Sequence, residues 1–229
     1  MASTPRTFSS VPFAIPLLVL LVGGIFLLVI FDSPDIEQAE SLVVRPMNAE
    51  DHIKGSLDAP VHIILFSDPE CPYCKDWHED VLPRLMSKFG DDIAIAYRHR
   101  LVSRYERSER EANAMECADI VGGNDGFWRY LDALFRATPS DDQLPPEKLY
   151  DFASIAGLSL PEFSSCLDEK PRARRIARDV QEAAVAEIAV SPTAIIMLRD
   201  ASRSVVVPTS RYGPLEASVS LLLSAGAEN

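Results

Sequence analysis

The stretch VHIILFSDPECPYCKDWHEDVLPRLM, residues 61–86, decides the fold. Val61-His62-Ile63-Ile64-Leu65-Phe66 reads as a short buried strand. A polar turn, Ser67-Asp68-Pro69-Glu70, follows, and then Trp77, Val81, Leu82, Leu85 and Met86 repeat at helical spacing. Cys71 and Cys74 of the tetrad Cys71-Pro72-Tyr73-Cys74 therefore fall on the first turn of a helix that leaves a core strand. There Cys71 meets unpaired backbone N–H groups and the positive end of the helix dipole, and both favour a thiolate. A thiolate attacks disulfides, and a second thiol three residues on can release the resulting mixed disulfide. The spacing thus predicts redox chemistry at Cys71 and Cys74.

The rest of the 229-residue chain bounds that reading. Mean hydropathy is near zero (+0.04), but it averages over a sharp split. Residues 11–31, VPFAIPLLVLLVGGIFLLVIF, carry no charge and are long enough to cross a bilayer as a helix. No good cleavage site precedes Asp32, so the run is expected to be an uncleaved transmembrane anchor. Arg6 lies before it, and Asp32, Asp35, Glu37 and Glu40 lie after it. That asymmetry predicts a cytoplasmic tail at residues 1–10 and a domain on the extracytoplasmic, periplasmic side, where disulfides persist. Residues 32–50, polar and acidic without periodicity, read as a linker. The net charge of −12 argues against nucleic acid, which requires clustered Lys and Arg. The basic cluster Arg172, Arg174, Arg175 and Arg178 reads as a solvated helix face, with anionic lipid headgroups as the alternative contact.

Beyond the tetrad, Ile93–Arg98 is a second strand. Helical patterns cover Ser108–Val121 (stopped at Gly122-Gly123), then residues about Phe127–Phe135, Leu149–Ala156, Leu160–Leu167 and Ile176–Ile188. Strand character returns at Thr193–Leu198 and Val205–Val207, before a last helix over Pro214–Leu223. Strand, helix, strand, several helices, strand, strand, helix is an α/β core, over residues 51–229, with a helical insertion at about 105–188.

That order, with Cys71-Pro72-Tyr73-Cys74 and the later Val190-Ser191-Pro192-Thr193, resembles the DsbA-like thioredoxin-fold thiol–disulfide oxidoreductases, here in a membrane-anchored form. Further pieces of the resemblance are Asp58-Ala59-Pro60-Val61, Phe66-Ser67-Asp68, Glu116-Cys117-Ala118, Gly126-Phe127-Trp128, and Phe163 with Cys166-Leu167. The resemblance implies that Cys71 is the exposed nucleophile and Cys74 the shielded partner, with Pro72 and Tyr73 tuning the redox balance. It also implies a cis-proline at Pro192, which would turn the backbone of Ser191 toward an extended substrate chain. The implied activity is the oxidation of exported cysteine-containing proteins, with reoxidation by a membrane quinone-linked partner. A reductase or isomerase is the alternative of the same fold, and a non-catalytic chaperone or binding module the alternative of another class. The chain departs from the family at Leu65, six positions before Cys71, where members commonly carry an acid. Cys74 must then lose its proton by another route, through water or Asp68, or turn over more slowly. Val190 and Ser191 also replace the residues common before the proline, which alters the substrate groove.

Cys117 and Cys166, 49 positions apart on predicted helices, admit three readings: a structural disulfide, two buried thiols or a second redox pair. The even cysteine count, the oxidising compartment and the family pattern favour the disulfide, worth about 4 kcal/mol on the chain-entropy model. No cofactor is expected. The four cysteines with His52, His62, His78 and His99 fit no common zinc spacing beyond Cys71–Cys74, so no metal is expected either. His78 reads as a solvated helix-face residue, Trp77, Phe127 and Trp128 as core. Asp68 and Glu70 are candidates to cap the helix start and to oppose the thiolate.

Overall fold

The computed structural model describes residues 44–226. The expected tail (1–10), anchor (11–31) and most of the linker (to residue 43) lie outside the described residues. Among the described residues no helix is long and apolar enough to cross a membrane.

Five strands form one mixed sheet: β1 (His52–Gly55), β2 (Val61–Ser67), β3 (Ile93–His99), β4 (Thr193–Leu198) and β5 (Ser204–Val207), in the order β1-β3-β2-β4-β5. β2 runs parallel to β3 and antiparallel to β4, and every residue of these three strands is buried. The two-residue period of β2 divides its side chains between two cores. Val61, Ile63 and Leu65 join the large core under the helices, whereas Ile64 and Phe66 pack with Ile195, Met197, Ala183 and Ile188 on the other face. Register then decides where the chemistry falls. Ser67 pairs with His99 and Phe66 with Thr193, so the turn carrying Cys71 and the loop carrying Pro192 leave the sheet at the same end.

The helix after β2 is built in three pieces: α1 (Pro72–Asp76), a wide π-helical turn (Trp77–Val81) and α2 (Leu82–Phe89). The Leu82 N–H bonds the Trp77 carbonyl, five residues back. Pro83 has no N–H to give, and its ring would crowd the carbonyl of Glu79 in a regular turn. The wider turn accommodates it.

Four helices follow β3: α3 (Ser108–Ala137), α4 (Lys148–Ile155), α5 (Leu160–Glu169) and α6 (Ala173–Val185). The sequence reading stopped the first of these at Gly122-Gly123. There α3 does break: Gly123 adopts a non-helical φ 65° and ψ −169°, and two helices meet across the kink. Three residues on, a Cβ at Gly126 would lie 2.6 Å from the Ala118 carbonyl, so only glycine lets the two halves of α3 approach this closely. α7 (Tyr212–Gly226) closes the domain, with Leu215, Val219 and Leu222 in the large core.

Residues 44–51 are docked on this body. Val44 and Met47 are buried, and Arg98, fully buried on β3, reaches this segment. Its Nε and Nη2 bond both Asp51 oxygens at 3.0 and 2.9 Å, and its Nη1 bonds the Arg45 carbonyl at 2.9 Å. Burial alone would raise the Asp51 carboxyl, but the bonds and charge of Arg98 more than offset it and hold it below its ordinary value.

Candidate active site

Cys71 occupies the residue just before α1, with extended backbone (φ −82°, ψ 120°), and Pro72 takes the first helical position, where a missing N–H costs nothing. The Cys71 carbonyl accepts from the N–H groups of Cys74 and Lys75 at 3.0 and 3.1 Å. The thiol is brought down to about 7. The largest cause is the hydrogen bond from the Cys74 thiol; burial opposes it, and the backbone N–H groups of Cys74 and Tyr73 add to it. Cys74 is pushed the other way, first by burial and then by its role as donor to Cys71. Two thiols three residues apart are thus differentiated into a nucleophile and a proton-bearing partner. Tyr73 between them is exposed, whereas Cys71, expected to be the exposed thiol, is 3% exposed and buried as Cys74 is.

Ser191 and Pro192 stand beside this pair. Their peptide bond is cis. The Cys71 thiol lies 3.4 Å from the Ser191 carbonyl oxygen, across 120 positions of sequence. The Ser191 hydroxyl lies 3.1 Å from Cys74 Sγ, which also accepts from the Asp68 N–H at 3.4 Å. Leu65, the residue standing where the family carries an acid, is part of the apolar core and contributes no proton group.

Asp68 and Glu70 do not cap α1. Both are fully buried. Asp68 accepts from the Glu70 N–H (2.8 Å), the Val102 N–H (2.6 Å) and the Ser108 hydroxyl (2.6 Å), tying the active-site turn to the segment after β3. Burial still leaves its carboxyl raised, despite those donors. Glu70 Oε2 accepts from the Asp142 N–H at 2.7 Å, and the Glu70 carbonyl from the Asp141 N–H at 2.9 Å. Glu111, on the first turn of α3, is buried against Glu70. No signal in the sequence singled it out: it lies between Arg110 and Ala112 as a surface glutamate would.

His78 also departs from expectation. It is buried in the π-helical turn, bonds Asp132 Oδ1 at 2.7 Å and stacks near Trp128 and Phe135. Four residues after Cys74 and four before Leu82, it lies on the buried face of the helix, in contact with α3. Trp77, Phe127 and Trp128 are core residues.

Cys117 on α3 and Cys166 on α5 are bonded to each other, with Cα atoms 5.7 Å apart. Next to this bridge, Glu116 accepts from His52 Nε2 (2.8 Å) and His99 Nε2 (3.0 Å). Burial would raise its carboxyl, yet these two histidines bring it well below the carboxylate range. His52, Glu116 and Asp119 are the group among the described residues whose ligand atoms lie close enough to hold a metal ion. Arg175 already lies 3.5 Å from Glu116 and Arg172 3.2 Å from Asp119, so the charge a cation would neutralise is taken. The basic cluster is a largely solvated face that also carries ion pairs: Arg178 joins the exposed Glu50 at 3.0 Å, Arg172 and Arg178 stay partly exposed, Arg174 is exposed, and Arg175 alone is mostly covered.

A thiol pair at a helix start, facing a cis-proline loop on the end of a mixed five-stranded sheet, defines the thioredoxin-like class. The chain belongs to the thioredoxin family, whose model matches residues 47–204. Its fold is similar to that of oxidised BdbD from Bacillus subtilis (TM-score 0.68, 23% identity, 79% of this chain and 97% of that one). It is likewise similar to DsbA2 from Pseudomonas aeruginosa (TM-score 0.64, 25% identity, 78% and 97%). Among curated proteins it is 28% identical over 158 residues to Na(+)/H(+) antiporter NhaA 1 of Mycolicibacterium gilvum, covering 67% of this chain and 24% of that protein. The chain thus spans about a quarter of the length of the curated relatives it matches.

Proposed function

We propose that the protein is an extracytoplasmic thiol–disulfide oxidoreductase that introduces disulfides into exported proteins through Cys71 and Cys74. The observation that carries the thiol–disulfide exchange, in whichever direction electrons flow, is the opposed pair of thiols, one lowered and one raised, beside the Ser191 carbonyl. A substrate thiolate attacks Cys71 Sγ of the Cys71–Cys74 disulfide; the S–S bond breaks and Cys74 leaves as a thiolate. The Ser191 hydroxyl and the Asp68 N–H are placed to stabilise that leaving sulfur until it takes up a proton. A second substrate thiolate then attacks the substrate sulfur of the mixed disulfide and releases Cys71. Two electrons remain on the protein, and a membrane quinone-linked oxidase is the partner that removes them. The apolar run at 11–31 serves in this reading as the anchor, which raises the local concentration for that encounter.

One observation favours a second reading, a reductase or isomerase. A nucleophile near 7 is close to that of thioredoxin, whereas a strongly oxidising member stabilises its thiolate to about 3.5. The reduction potential of the full chain in glutathione buffers separates the two. A value near about −120 mV makes the protein a disulfide donor; one near about −230 to −270 mV assigns it to reduction or isomerisation and overturns the oxidase reading.

A further inference from the structure

The carboxyl group immediately before the nucleophile has a partner that the thiol chemistry does not use. Glu70 and Glu111 are both buried, 0% and 2% exposed, and their side chains lie within hydrogen-bonding reach of each other. Glu70 Oε1 and Glu111 Oε2 find no donor among the described residues. Two carboxylates have only acceptors to offer, so the pair leaves two buried oxygens unpaired and two like charges in contact. One carboxylic acid facing one carboxylate removes both penalties with a single proton.

The surroundings say which member holds it. Burial pushes Glu111 up to about 10, and the hydrogen bond and negative charge of Glu70, then the charges of Asp68 and Asp142, push in the same direction. The start of α3 pulls the other way, but a helix dipole moves a carboxyl by at most about one and a half pH units. Burial and like charge win.

The other oxygen of Glu70 shows what the proton holds in place. It accepts from the Asp142 N–H, in a loop where Ser140, Asp141 and Asp142 all adopt positive φ of 54° to 62°. Lys75 pins the same loop from α1 by bonding the Thr138 carbonyl at 2.8 Å. Glu111 on α3, Glu70 at the active-site turn and the 138–142 loop therefore meet at one carboxyl, directly before Cys71.

We propose that Glu111 is a positioning residue of the thiol site: as a neutral acid it donates to Glu70, and this shared-proton contact fixes the turn that aims the Cys74 and Tyr73 N–H groups at Cys71. The proposal rests on Cys71 being the nucleophile, but not on the direction in which electrons flow.

Two measurements on the full chain test it. Infrared difference spectra between wild type and Glu111→Gln should show the carbonyl stretch of a protonated carboxyl at about pH 8, where an ordinary glutamate is fully ionised. Absence of that band overturns the proposal. Thiolate absorbance titration of Cys71 supplies the second test. Glu111→Gln, which keeps a donor, should titrate as wild type does. Glu111→Ala should lose thiolate at neutral pH by about tenfold, the effect of one charge-assisted hydrogen bond. An unshifted Glu111→Ala, or a Glu111→Gln shifted as far as Glu111→Ala, also overturns it. If Glu111→Ala does not fold, the infrared band and the Glu111→Gln titration decide by themselves. Neither readout requires catalytic turnover, so failure of the oxidoreductase reading, seen as full function of Cys71→Ser, stays distinguishable.

Discussion

The two cysteine pairs are both buried, yet they are built for opposite ends. Cys117 and Cys166 come from two helices 49 positions apart and close a covalent loop within the helical region. Cys71 and Cys74 come from one helical turn, remain free thiols, and are surrounded by groups that treat them differently. Burial alone makes a cysteine a small inert hydrophobe. Reactivity requires donors directed at one sulfur: Cys71 has the Cys74 thiol and two helix-start N–H groups, whereas the other pair has only its own bond.

The largest expected effect breaks the reactive pair. Cys71→Ser should abolish thiol–disulfide exchange in an insulin-reduction or scrambled-ribonuclease assay; retained turnover would place the chemistry elsewhere. Next comes the structural pair. Replacing Cys117 and Cys166 together by serine should cost about 4 kcal/mol in urea unfolding while leaving Cys71 reactive. If exchange disappears along with the bridge in protein that remains folded, the division of labour between the pairs fails.

The pH dependence sharpens the comparison further. With Cys71 lowered to about 7, its alkylation rate should rise roughly tenfold between pH 6 and pH 8, with no matching phase from Cys117 or Cys166. The sign extends to stability. A thiol lowered in the folded state stabilises the reduced protein fully above the ordinary thiol range, near 9, and that contribution fades as pH falls through about 7. Equilibrium unfolding of the reduced protein at both ends of that window measures it. The smallest effect is expected at Ser191, whose hydroxyl lowers the Cys74 thiol slightly against the larger push of burial. Ser191→Ala should raise Cys74 further and slow release of mixed disulfides by about three- to tenfold, the effect of one neutral hydrogen bond, read by quenched-flow trapping. An unchanged release rate would remove Ser191 from the account of the leaving sulfur.

Much of this site could be read along the chain because its parts are local. The strand at Val61, the tetrad at the helix start, and the strand at Thr193 show themselves in apolar runs and turn residues. β1 did not, because His-Ile-Lys-Gly is a short edge strand whose four residues lack an apolar run. Arg98, the last residue of the strand read at Ile93–Arg98, is fully buried because Asp51 and the Arg45 carbonyl, about fifty positions earlier, complete its hydrogen bonds. His78 reads as a solvated histidine because its residue type is polar, yet it is buried one turn past Cys74 because Asp132, 54 positions later, completes its hydrogen bond.

The sequence by itself determined an α/β chain with two thiols on the first turn after a core strand, since side-chain periodicity and helix starts depend only on near neighbours. It also carried the order of strands and helices from β2 onward and the proline at position 192. Only the tertiary structure decided what those thiols meet. Strand register brings Ser191 across 120 positions to Cys71 and Cys74, and the packing of α3 sets Glu111 against Glu70. Burial and hydrogen-bond partners are properties of the assembled sheet and helices, and they divide two neighbouring thiols into a nucleophile and its proton-bearing partner.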